Sequence, residues 1–122
     1  MADIKSFEDL KIWQDGMSIA EDVYAVVRSF PSSERHALSD QLRRAAVSIP
    51  SNIAEGFGRE AKADFLHFLA MARGSLFEVR TQLELARRVG FVKDCSEISD
   101  KAKSLGRMIN AYMSKLRISA HR

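Results

Sequence analysis

Apolar residues recur at spacings of three and four along most of the chain, and four segments carry the pattern. Leu10, Trp13, Met17, Ala20, Tyr24 and Val27 share one face and predict a helix over about 9–29. Phe30-Pro31 ends it, because the residue before a proline avoids helical backbone. Ser32 or Ser33 is placed to cap a second helix over about 33–57, with Glu34 and Arg35 in its first turn and Leu38, Leu42, Ala45, Ile49 and Ile53 on its apolar face. Gly56 and Gly58 mark its end. The third pattern is the most regular: Phe65, Leu69, Ala72, Leu76, Val79, Leu83 and Ala86 predict a helix over about 62–89, with Gly90 as its C-terminal cap. Ile98, Ala102, Leu105, Ile109, Tyr112 and Leu116 predict a fourth over about 96–117.

Helices of this length span about 30 Å, and short connections make sequence neighbours antiparallel. The expected fold class is all-α: one domain over residues 1–122, an up-down-up-down antiparallel four-helix bundle. Glycine and proline between the segments argue against one long coiled coil. Residues 1–8 and 118–122 are expected to fray.

One segment breaks the pattern's own rules. Residues 41–59 read QLRRAAVSIPSNIAEGFGR, with Pro50 inside a helical stripe. An internal proline removes a hydrogen bond and crowds the preceding turn, at about 3 kcal/mol or more. A kink near Pro50, or a short break near Ser48 and Ile49, is expected there. Ser48, Asn52, Glu55 and Arg59 follow i, i+4, i+7, i+11 spacing, and Ser75 and Glu78, with Gln82, form a second polar stripe on the third helix. Ser48, Asn52, Glu55, Ser75 and Glu78 are therefore candidates for a polar network between helices, or for a subunit interface or ligand-facing groove. Small Gly74 and Ser75 are read as permitting close helix approach.

Composition narrows the class. The chain is 46% hydrophobic and 29% charged, as in ordinary globular proteins. No apolar run approaches the roughly 20 residues of a membrane span, and no signal peptide opens the chain, so a cytoplasmic location is expected. Cys95 is the sole cysteine, which leaves no internal disulfide. The net charge of +3 is unevenly spread: residues 1–22 hold two Lys against six acids, and residues 101–122 hold six Lys or Arg and no acid. That asymmetry suits either contact between subunits or attraction of a polyanion.

Chemistry is sparse. Asp64-Phe65-Leu66-His67 is one acid-x-x-His half-motif of a di-iron bundle, with no second copy; His36 lacks the acid and His121 lies in the tail. Gly56-Phe57-Gly58 lacks the Lys-Ser/Thr of a phosphate loop, and Gly74-Ser75-Leu76 lies mid-helix. No catalytic residue, metal or cofactor is assigned, and a non-enzyme is expected. Clustered cations give the functional lead. Arg43, Arg44, Arg59, Arg87, Arg88, Lys101, Lys103 and Arg107 are candidate nucleic-acid-binding residues, since phosphate binding needs grouped positive charge.

Three stretches carry a family resemblance: DLKIWQDGMSIAEDVY, QLRRAAVSIPSNIAEGFGR and FLHFLAMARGSLFEVRTQLELARRVGF. They resemble the four-helix-bundle proteins encoded within intervening sequences of bacterial 23S ribosomal RNA genes, from about Phe7 to Arg117. The resemblance implies a ring-like homopentamer with RNA or other nucleic acid as the suggested ligand and no established catalytic residues. It extends to the accessory protein of diversity-generating retroelements, a basic pentamer that partners a reverse transcriptase. A scaffold that docks such an enzyme, with no direct nucleic-acid role, is the alternative. Ala61 and Ala63 depart from the family's pattern, which often places a Ser-like cap before the third helix.

Overall fold

The computed structural model describes residues 3–34 and 37–119. Four long helices account for most of them: α1 (Lys11–Val27), α2 (Leu38–Phe57), α3 (Lys62–Arg88) and α4 (Ser96–Ile118), with 3-10 turns at Phe7–Asp9 and Ser32–Glu34 and no strand among the described residues. Each helix packs on two others, in the cyclic order α1, α2, α3, α4, and α2–α3 is the most extensive pairing.

The core forms where the four apolar stripes converge. Leu42, Ile49, Ile53, Leu69, Val79, Leu83 and Ile109 are fully buried there. On α3 every residue of the expected stripe from Phe65 to Ala86 is buried. On α1 the helix is rotated from the expectation. Its buried line is Ile12, Gly16, Ile19, Ala20, Val23 and Val27, while Met17 and Tyr24 are exposed and Trp13 is half-buried. This helix carries two adjacent apolar stripes, and periodicity alone does not say which one meets the core. On α4, Met113 is buried and Tyr112 half-buried, stacking edge-on against Phe65 with ring centroids 5.6 Å apart.

Helix ends explain the remaining differences. Ser32 and Ser33 do not cap α2; they sit in the 3-10 turn after Pro31, and α2 starts at Leu38, behind Ala37, which offers no side-chain cap. Short 3-10 turns are common connectors of this kind. Glu34 therefore precedes the helix, and Arg35 lies outside the described residues, as do His36 and His121. The expected fraying over residues 3–8 gives way to a capped turn. Ser6 Oγ accepts from the Glu8 amide at 3.3 Å, and Asp9 Oδ2 accepts from the Ser6 amide at 3.2 Å. Gly58 keeps right-handed backbone, whereas Gly90 adopts φ 87°. The Phe91 amide then bonds the Ala86 carbonyl at 2.9 Å and the Gly90 amide bonds that of Arg87 at 3.1 Å, closing α3 as a Schellman motif.

The expected break near Ser48 and Ile49 does not occur: α2 runs unbroken through Pro50, which is buried. Gly16 makes room for it. A Cβ on Gly16 would lie 3.2 Å from Ile49 Cγ2 and 3.5 Å from Pro50 Cβ, so α1 passes close over the proline. Two turns on, Gly56 meets α3 more tightly still, with Phe68 Cβ 2.7 Å from a Cβ placed there. Gly74 has open space beside it and brings no helices together.

Candidate nucleic-acid interface

The polar residues around Pro50 divide into two groups. Ser48 and Ser75 meet between α2 and α3, with their hydroxyls 2.8 Å apart, and Asn52 Nδ2 donates to both the Ser48 carbonyl and the Ser48 hydroxyl at 2.8 Å. Ser75 is buried and Ser48 and Asn52 are half-buried, so this is a network joining two helices of one chain. Glu55 and Glu78 do not join it; both are exposed, and Glu55 lies 3.9 Å from Arg59 along its own helix.

Most of the arginines singled out by clustering face a carboxylate. Asp40 lies 3.9 Å from Arg43 and 3.3 Å from Arg44. Glu84 accepts from both Arg87, at 2.8 Å, and Arg88, at 2.9 Å. Those hydrogen bonds, with the cations' charge, hold the Glu84 carboxyl down at about 2. Lys101 reaches from α4 to α1, donating to Asp22 at 2.6 Å and to Ser18 at 3.0 Å, and the Asp22 hydrogen bond raises its pKa above the ordinary lysine value. Arg59 lies over the Phe68 ring, 4.9 Å from the centroid.

Lys103 and Arg107 behave differently. They stand on the side of α4 that faces α3, where Arg73 and Arg80 complete a trough. Leu76, Phe77, Ala102, Gly106 and Asn110 line the rest of it. Arg73 is anchored across the trough, donating to Asn110 Oδ1 at 2.8 Å and contacting Met113 Sδ at 3.8 Å. Among the described residues no carboxylate lines this trough, and none of its four cations forms an ion pair. Phe77, Arg80 and Lys103 also belong to a wider recess of about 700 Å³, which runs on along α3 to Glu84, Leu85 and Arg88. Phe77 is 54% exposed in the middle of this basic surface. Arg73 and Arg80 were not among the sequence candidates, because each stands apart from other arginines in the chain. Their heptad separation on α3 was the available signal, but only α4 supplies the other wall.

A second surface lies between α1 and α2. Trp13, Met17, Tyr24, Val47, Pro50 and Ala54 line an apolar groove of about 610 Å³. Phe7 packs edge-on against Trp13, with centroids 5.3 Å apart. Leu10, Ala20 and Val27 of the expected α1 stripe are buried in the core, whereas its Trp13, Met17 and Tyr24 line this outer groove.

No group of three or more His, Cys, Asp or Glu side chains is placed to hold a metal ion among the described residues. His67 is exposed, and Cys95 is buried with its sulfur 3.7 Å from the Leu83 carbonyl. No helix among the described residues is long and apolar enough to cross a membrane.

Four helices around one core, with a basic trough that no carboxylate among the described residues lines on one side and an apolar groove on another, define a small all-helical protein. The chain belongs to the 23S rRNA-intervening sequence protein family, whose model matches residues 8–111. The fold is similar to the crystal structure of a protein of unknown function from the S23 ribosomal protein family of Bacteroides thetaiotaomicron. That match has a TM-score of 0.76 at 20% identity and covers 84% of this chain and 97% of the other. No curated protein matches the chain in sequence.

Proposed function

We propose that this protein is a non-enzymatic, oligomeric, cytoplasmic four-helix bundle of up-down-up-down topology that binds RNA or another nucleic acid through the trough between α3 and α4. The observation that carries the reading is the set Arg73, Arg80, Lys103 and Arg107, four cations lining one trough without a carboxylate among the described residues. Unneutralised charge of this kind draws a phosphate backbone and releases its counterions. The antiparallel topology is supported by contacts between the first half of one helix and the second half of another: Gly16 with Pro50, Gly56 with Phe68, Arg73 with Asn110, and Asp22 with Lys101. A ring-like homopentamer is the assembly proposed from the family resemblance, and the exposed apolar groove beside Trp13 and Tyr24 is consistent with self-association.

The test is fluorescence anisotropy with a structured RNA at about 50 mM and about 200 mM salt, a range over which phosphate-dominated binding weakens steeply. Salt-sensitive binding supports the reading. Absence of binding at the lower salt, or indifference to salt, overturns it. The same α1–α2 groove favours the alternative of a protein-interaction scaffold, for example one docking a reverse transcriptase, with no direct nucleic-acid role. On that reading Met17→Glu abolishes partner capture, while no nucleic acid binds.

A further inference from the structure

We infer that the α3–α4 trough takes single-stranded nucleic acid and holds one unpaired base stacked on the Phe77 ring; this rests on the nucleic-acid reading above. Phe77 is 54% exposed, and it shares both the narrow trough and the wider recess with Arg80 and Lys103. Arg73 and Arg107 line the narrow trough beside it. A lone exposed apolar side chain is ordinary, but an aromatic ring set among four cations is the arrangement that single-strand binders use. The cations follow the backbone, and the ring takes the face of a base. A duplex keeps its bases stacked on one another, so its phosphates can meet the arginines but it has no free base face to offer the exposed ring. The trough floor is open at Gly106, where a Cβ would meet no atom within 4 Å. A stacked base reads no hydrogen-bond pattern, so broad sequence tolerance is expected.

The experiment compares labelled oligo(U), oligo(dT) and a duplex, each of about 12 nucleotides, by anisotropy at low salt. The proteins are wild type, Phe77→Leu, Phe77→Tyr and Arg80→Ala, with light scattering on each. The expected result is tighter binding of at least one single strand than of the duplex, and the two single-stranded probes separate RNA from DNA preference. Phe77→Leu weakens single-strand binding by roughly five- to 150-fold, Phe77→Tyr restores it, and Arg80→Ala weakens all probes. Equal affinity for duplex and single strand with Phe77→Leu neutral overturns the stacking inference while leaving the nucleic-acid reading intact. Binding of no probe overturns both. A change of assembly size in Phe77→Leu also overturns the inference, since Phe77 is then a contact between subunits.

Discussion

Gly56 of α2 and Phe68 of α3 approach so closely that a Cβ on the glycine would lie 2.7 Å from Phe68 Cβ and 2.9 Å from Phe65 Cδ1. Phe65 is buried and stacks on Tyr112, so it is hemmed in from the α4 side as well. Gly56→Ala is expected to destabilise the protein by about 1–3 kcal/mol, as overpacking does. Gly74→Ala, at a mid-helix site with open space, is expected to stabilise it by up to about 1 kcal/mol. Paired urea melts of the two variants check the opposite signs.

The Ser48–Ser75 contact ties α2 to α3 beside Pro50. A double-mutant cycle with Ser48→Ala and Ser75→Ala is expected to show a coupling of about 0.5–1.5 kcal/mol in denaturant unfolding. Independent, additive effects would mean that the hydroxyls are satisfied separately.

Glu84 links stability to acid. Its carboxyl titrates at about 2 in the folded chain against an ordinary 4.5, so the folded state favours the charged form. The resulting stabilisation is present above about pH 4.5 and is lost as the pH falls towards about 2. Thermal melts of wild type and Glu84→Gln should differ most near neutral pH and converge towards pH 2. The side chain is 43% exposed, so solvent screening makes the difference small and salt-sensitive.

Gly106→Leu separates binding from folding. The substitution adds a good helix former in open space, so stability is expected to rise by about 0.5–1 kcal/mol. The new side chain fills the trough floor, and nucleic-acid affinity is expected to fall. Melting and anisotropy on the same sample check both, and unchanged affinity would place the ligand elsewhere.

How far the sequence carried this reading depended on whether the deciding neighbour lay in the same helix. The α3 stripe from Phe65 to Ala86 was legible because its 4-3 stepping admits one face only. Gly90 was legible because a left-handed cap after a basic last turn favours glycine. The α1 face was misread because Trp13, Met17 and Tyr24 and the line through Ile12, Ile19 and Val23 have the same period. Which of them is buried depends on how α2 and α4 approach. The pairing of Arg87 and Arg88 with Glu84 was available as i,i+3 and i,i+4 spacing, and it lowers their value as free phosphate ligands. Arg73 and Arg80 could not be joined to Lys103 and Arg107 without tertiary packing.

Binding in the α3–α4 trough is tested most directly by two charge reversals set side by side. Arg80→Glu/Arg107→Glu inverts the trough, and Arg43→Glu/Arg44→Glu inverts a pair that already faces Asp40. Anisotropy with a labelled single strand is followed across salt, with light scattering to confirm unchanged assembly. The expected results are a wild-type log–log salt slope of about −3, for four neutralised phosphates, abolished binding in the trough variant and near wild-type binding in the other. Equal losses in both variants, or full binding by the trough variant, would contradict binding in the trough.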